Sequence, residues 1–351
     1  MNTELALCAN DDERRRGSRP VIDFYFDVPP ISNTQIQNMW KRQLRIGPRW
    51  LLQPAYSILK ALGFKALVID SPAEDRDISD CLTRKAPFLG FTSQEEREAR
   101  AQVAELLGSE DAQWVCLHQR DSAYLSQSME SRDWSYHSYR DTPISDYQLA
   151  AEMLAREGYK VVRMGKIVSQ HLPFEATGVI DYPLHPLRSD VLDVYLAAHC
   201  AFFLSTGSGI DSVATVFRRP QVLVNFPSPF HPLTGRPNHI FIYQHFRDSD
   251  TGDPLSLHQL YERQAWQLFS TNDFDQAGIS LSRNSSQEIA DAATEMSKRL
   301  QGVWRESYEA EIRQEKFWRA FRRIPEIHGL VPFRARIGSE FLAANEHLYA
   351  K

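Results

Sequence analysis

The chain has four cysteines, Cys8, Cys81, Cys116 and Cys200, and no two of them form a CxxC pair. That scatter offers neither a zinc knuckle nor a disulfide framework. Cys116 and Cys200 stand inside apolar strand-like runs and are expected to be buried, inert thiols. No apolar run approaches the roughly 20 residues that span a bilayer. The first residues, MNTELALCANDDERRR, mix both charge signs, and their apolar part is too short for a signal peptide. The P-loop GKS/T, the HExxH helix and the GxSxG elbow are missing, which argues against triphosphatase, zinc-protease and serine-hydrolase chemistry. An excess of basic residues is missing too: the net charge is −5, unlike a general nucleic-acid binder. Low-complexity tracts and internal repeats are likewise missing. The expectation is a cytoplasmic protein without a nucleic-acid partner. Its basic stretches, Arg14–Arg16 and Arg313–Arg336, read as a solvated tail or helix face, with peripheral membrane contact through the second left open.

What is present is an ordinary globular composition, 42% hydrophobic and 24% charged over 351 residues, long enough for two sizeable cores. The chain is organised around Cys200–Asn225, CAFFLSTGSGIDSVATVFRRPQVLVN. An apolar run runs into Ser205-Thr206-Gly207-Ser208-Gly209, a helical spacing follows at Ile210, Val213, Ala214 and Phe217, and Pro220 precedes another apolar run. Strand, small-residue loop, helix, strand is the order that hands loop amides to a helix N-terminus, where an anion is favoured. An ordinary strand–helix turn has the same order.

The flanking chain repeats the pattern. WVCL at Trp114–Leu117, YKVVRM at Tyr159–Met164, GVIDY at Gly178–Tyr182 and Gln221–Val224 read as buried strands. Pro143–Arg156 and Asp190–Ala198 read as helices between them. Alternation of this kind predicts a parallel sheet covered on both faces. In the first third, VIDFYFDV at Val21–Val28 and FKALVID at Phe64–Asp70 are expected strands. Thr34–Gln43, Leu51–Leu62 and Gln94–Leu107 are expected helices, the last capped by Ser93. The domain reading is a flexible tail over 1–19, an N-terminal α/β domain over 20–110, a Rossmann-like domain over 111–300, and a C-terminal helical segment over 301–351 able to cross back to the first domain.

The chemistry-bearing residues end strands. His118, Arg120 and Asp121 follow WVCL. Arg can clamp a diphosphate in bidentate fashion, and His can bond a phosphate, a ribose or an acceptor hydroxyl, or act as a base. Arg163 ends the next strand, with Gly165-Lys166 after it, and Asp181 ends GVIDY. Asp211 lies in the first turn after the glycine loop, where it complements the helix dipole or reaches a ribose. Each of these also fits a structural ion pair or a cap. Asp248-Ser249-Asp250 has DxD metal spacing, but a polar Gln-His-Phe-Arg segment stands where a strand is needed, so no metal role is assigned. The loop Ser122–Thr142 is long and polar enough to be a binding loop.

Three segments, His118–Asp121, DYQLAAEMLAREGYKVVRMG and the Cys200–Asn225 stretch, resemble a bacterial family of glycosyltransferases found alongside surface-polysaccharide functions. The order of motifs is also similar to the fucosyltransferase-like branch of the two-domain GT-B fold. That resemblance covers Trp114 to Asn225. It implies two Rossmann-like domains and a nucleotide-diphosphate sugar in the cleft. It implies donor contacts from Arg120, Arg163, Lys166, Ser205, Thr206, Gly207, Ser208, Gly209 and Asp211. Asp121 stands where the fucosyltransferase-like motif usually has a basic residue, and Gly-Ser-Gly stands where that branch has paired serines. The base is expected among Asp121, His118 and Asp181. No cofactor and no metal are expected, since Arg120 and helix amides neutralise the leaving diphosphate. The acceptor would be a glycan, a glycolipid or a protein. The rival readings are a non-catalytic sugar or nucleotide binder and a sugar-nucleotide epimerase of the same fold.

Overall fold

A computed structural model describes residues 2–8, 22–64, 67–68, 77, 80–120, 123, 139–230, 238–324 and 334–350. From Thr34 the chain runs α1 (Thr34–Gln43), α2 (Arg49–Ala61), α3 (Ser93–Leu107), β1 (Trp114–His118), α4 (Gln148–Arg156), β2 (Lys160–Arg163), β3 (Val179–Asp181), α5 (Asp190–His199), β4 (Phe203–Ser205), α6 (Asp211–Val216), β5 (Gln221–Phe226), β6 (His239–Tyr243), β7 (His245–Asp248), β8 (Ile279–Ser282), α7 (Ser286–Leu300), α8 (Tyr308–Phe321) and β9 (Arg336–Ile337), with shorter helices between. The fold is α/β.

Seven strands form one sheet in the order β3-β2-β1-β4-β5-β6-β9. Every neighbouring pair in it is parallel. The apolar runs become strands because both faces are covered. Val115 and Leu117 on β1 enter one core, beneath α4, α7 and α8, while Cys116 between them enters the other, beneath α3 and α5. That alternation is the two-residue period of a strand. The chain winds outward from β1 through β2 to β3, then returns to lay β4 on the opposite side of β1. The order therefore reverses between β1 and β4, and the loops leaving their carboxyl ends diverge there, opening a crevice.

Helix boundaries follow capping chemistry. Asn33 accepts from the Ile36 amide at the start of α1, and Ser189 from the Leu192 amide at the start of α5. At α3 the cap is Thr92 rather than the expected Ser93. Thr92 and Glu95 form a reciprocal capping box, and Gly108 closes the helix in the left-handed region, φ 73°.

The first third departs from expectation. Val21–Val28 is not a sheet strand: among the described residues its only pairing is a single bridge, Tyr25 to Ile46. Ile22, Phe24 and Val28 are more than 60% exposed, so no neighbouring strand covers them. Of Phe64–Asp70, the described residues Phe64, Leu67 and Val68 are not in a strand. The described part of 20–110 is thus helical, and a second Rossmann-like sheet is not seen in it. Nor is it separate: α3 buries Ala99, Val103 and Leu107 under the main sheet, and Met39 of α1 packs on Val194 and Val216. Within the expected tail, residues 2–8 are helical, and buried Glu4 pairs with Arg218 at 2.7 Å. At the other end, β9 extends the sheet beside β6, and Phe317 and Phe321 of α8 join its core. The C-terminal segment belongs to the sheet, while Arg334 reaches Asp80 at 2.9 Å.

Candidate functional site

The crevice between β1 and β4 opens into a cavity of about 710 Å³. Its floor is the sheet rim, with His118, Gln119, Arg120, Ser208 and Gly209, and its other wall is the N-terminal region, with Phe26, Val28, Ile31, Gln37 and Trp40.

The two rim loops are latched together. The Arg120 amide donates to Thr206 Oγ1 at 3.2 Å, and Ser208 Oγ lies 3.1 Å from His118 Nδ1. Gly207 has φ +80°, and a Cβ there would stand 3.2 Å from the Phe226 ring, so the turn requires glycine. Gly209 is different: a Cβ added there would meet nothing within 4 Å, which leaves open space on the cavity side. Asp211 organises the loop from within. Its Oδ2 accepts from Ser205 Oγ at 2.7 Å and from the Ser208 amide at 2.5 Å. A negative side chain in the first turn of α6 thereby takes one of the amides that an anion would use.

Two arginines meet at this loop. Arg140 donates to the Gly207 carbonyl at 2.6 Å, and Arg120 Nε lies 3.4 Å from Asp141 Oδ1. Burial first, and then the nearby positive charge of Arg120, push Arg140 below its ordinary value. The Nε groups of both arginines are buried and donate no hydrogen bond among the described residues. Buried guanidinium N–H groups at close quarters are suited to an anion that would satisfy them and relieve their repulsion.

The expected site residues divide accordingly. His118, Arg120, Lys166, Ser208 and Gly209 line the cavity. Ser205, Thr206, Gly207 and Asp211 build the loop beneath it. Lys166 is held by the Ser32 carbonyl at 3.1 Å and by Asp190 at 3.3 Å. Asp190 also accepts from the Thr34 amide at 2.8 Å, so this cluster fastens α1 to the rim. Arg163 and Asp181 leave the expected site. Arg163 is 1% exposed and donates to Asp181 at 3.0 Å and to the Gln170 carbonyl at 2.8 Å. Asp181 accepts in turn from the Leu172 amide at 3.0 Å. The pair ties down the loop after β2, outside the cavity. Asp121 lies outside the described residues.

A strand does precede the DxD triplet, β7, contrary to expectation. Asp248 nonetheless spends its oxygens locally: Oδ1 accepts from the Asp250 and Thr251 amides, and Oδ2 from Arg263. The Arg263 guanidinium and those amides hold its carboxyl down at about 2.

Three site residues escape sequence reasoning. Arg140 lies within the polar loop singled out as a binding loop, where nothing ranks one cation over another. Gln119, 4% exposed, lines the cavity with an Oε1 that accepts no hydrogen bond among the described residues. Asp193 is buried at the cavity wall, with Arg188 on its Oδ2 and no hydrogen bond to Oδ1 among the described residues. Burial raises its carboxyl above the ordinary range despite the Arg188 charge. The available signal was a carboxylate between Leu192 and Val194 in an otherwise apolar helix.

No family model matches the chain, and no curated protein matches it. Among solved structures it is similar to KpsC, a beta Kdo 2,4 transferase of Thermosulfurimonas dismutans, with 12% identity and a TM-score of 0.22. The match covers 49% of this chain and 64% of that one, less than two thirds of its length.

Proposed function

We propose that the chain is a glycosyltransferase that binds a nucleotide-diphosphate sugar in the crevice between β1 and β4. The observation that carries this reading is two half-buried arginines at a small-residue loop on the switch point of a parallel sheet, Arg120 lining the cavity and Arg140 on the Gly207 carbonyl, each with a buried Nε. Charge builds on the leaving diphosphate in such a transfer, and positive groups already in place stabilise it without reorganisation. Two arginines supply that charge without a metal ion. Ser208 and Gly209 border the place the phosphates would take, and His118 is oriented by Ser208 Oγ. The N-terminal wall, α1 with the segment before it, takes the acceptor side that a second domain takes in the GT-B arrangement.

The acceptor hydroxyl needs a base. His118 and Asp193 both line the cavity. Asp193 is a stronger base than an ordinary carboxylate because burial disfavours its charge. Asp181 lies outside the cavity, where it accepts from Arg163, and leaves the candidate list.

The test is a thermal-shift panel of UDP, GDP, CDP, dTDP and CMP, with and without EDTA. One nucleoside diphosphate is expected to stabilise the protein by about 2.7 kcal/mol at 100 times Kd, equally in EDTA, and to lose that effect in Arg120→Ala. Silence from the whole panel at millimolar ligand would sink the reading. A non-catalytic binder is the second reading, favoured by the engagement of the Ser208 amide with Asp211, which leaves the loop fewer donors for a phosphate. Turnover of the matching nucleotide sugar decides between the two.

A further inference from the structure

Helix α2 turns its apolar side away from the protein. Leu52, Tyr56 and Leu59 are its half-buried positions, spaced to share one face. Trp50, Leu51, Ile58 and Leu62 lie on another face and are 77%, 54%, 59% and 65% exposed. Pro54 and Ala55 on that same face are exposed too. Arg49, Gln53 and Lys60 occupy the remaining flank, so the helix is amphipathic with its apolar stripe outward. A helix whose apolar face meets water at four large side chains is not explained by the fold that carries it.

Charge is the second observation. Residues 28–69 contain Lys41, Arg42, Arg45, Arg49, Lys60 and Lys65 and no acidic residue, in a chain whose net charge is −5. Of these, Lys41, Arg42, Arg45, Arg49 and Lys60 are exposed, Arg42 in an ion pair with Glu95. A third observation is continuity with the cavity. Phe26 packs edge-on against Tyr56 of α2 at 6.0 Å, and Phe26, Val28 and Ile31 line the cavity. Val28 is at the same time 63% exposed. Phe26 thus joins the half-buried face of α2, opposite its outward stripe, to the segment that lines the cavity.

We infer that residues 28–64 form a docking surface for an anionic lipid bilayer, with α2 lying in the interface. The outward stripe enters the headgroup boundary, Trp50 sits at the level where amphipathic rings are favoured, and the lysines and arginines meet lipid phosphates. Resting on the glycosyltransferase reading, this selects a lipid-linked acceptor over a soluble glycan or a protein.

The experiment is flotation of the full chain with vesicles of phosphatidylglycerol and phosphatidylcholine in equal parts, against phosphatidylcholine alone, at low and high salt. The expected result is binding to the anionic vesicles that weakens with salt. Trp50→Ser and Ile58→Ser should each weaken partitioning about tenfold, and Arg45→Gln and Arg49→Gln about fivefold each. All four positions are exposed, so circular dichroism should report an unchanged fold. No binding to anionic vesicles at low salt would overturn the inference, and so would binding that Trp50→Ser and Ile58→Ser leave intact. Self-association in sedimentation that Trp50→Ser abolishes would also overturn it, by assigning the face to a second copy of the chain. Vesicle binding without nucleotide-sugar turnover would refute the glycosyltransferase and leave the docking surface standing.

Discussion

The strands of the sheet and the segment 22–64 treat apolar side chains in opposite ways. In the sheet they are enclosed: Val115, Cys116, Phe203 and Leu204 are wholly buried between helices on both faces. In 22–64, Phe24, Trp50, Leu51 and Ile58 face outward although their residue types match those of the core. Apolar content alone therefore does not mark a core. What separates the regions is whether strands find neighbours. The sheet collects seven mutually paired strands, whereas among the described residues Val21–Val28 meets only Ile46 through one bridge. The sheet region forms the rim of the cavity and the N-terminal region forms its other wall.

Substitutions test this contrast, starting with the largest effect. Phe203→Ala in the enclosed core should cost about 3–5 kcal/mol, read by urea denaturation. A loss near zero would mean that the sheet core is not the main source of stability. Next, Arg120→Ala should lower kcat/KM for the matching nucleotide sugar about 100- to 1000-fold, as loss of one transition-state donor does, with little change in melting temperature. A fall in melting temperature with unchanged turnover would return Arg120 to a structural pairing with Asp141.

The junction of the regions comes third. Asp190→Ala removes the acceptor for Thr34 and Lys166 and should loosen α1 by about 1–3 kcal/mol. The readout is faster amide exchange in 34–64 with the sheet amides unchanged. Burial raises the Asp190 carboxyl, but the hydrogen bonds from Thr34 and the Lys166 charge outweigh that and set it below its ordinary value. A carboxyl lowered in the folded state contributes stability above about pH 4 and loses it as the pH falls below. The same amides should therefore lose protection first on acidification, and equal loss throughout the molecule would contradict the junction.

Fourth, the two loop glycines should part company. Gly207→Ala, at φ +80° and against Phe226, should cost about 1 kcal/mol, whereas Gly209→Ala should leave stability unchanged and weaken nucleotide binding. The smallest effect belongs to the outward face: Trp50→Ala in solution should change stability by no more than about 0.5 kcal/mol. A large loss would show that the side chain is packed after all.

The parallel sheet was legible because continuous apolar runs ending in polar residues leave little choice of structure. WVCL followed by His118 and Arg120, and the strand running into Thr206–Gly209, announced the rim from which the crevice is built. The N-terminal strands were misread because alternation in VIDFYFDV states only that a strand face could be buried, not that a partner exists to bury it. Arg163 and Asp181 fit a ligand site or a structural ion pair equally in the sequence, because strand ends attract ligands and also pair with one another. Only the register that sets Arg163 opposite Asp181 decides for the pair.

Local sequence by itself determined the helix caps, the strands of the parallel sheet between Trp114 and Phe226, and that small residues and cations gather at strand ends. Those depend on neighbours a few residues away: caps, turn glycines and hydrophobic period. Strand order, the pairing of Arg120 with Arg140 around Gly207, the burial of Asp193 beside Arg188, and the exposure of the α2 stripe were decided by tertiary structure alone. Each is set by which distant surfaces meet, and desolvation and charge act across space rather than along the chain.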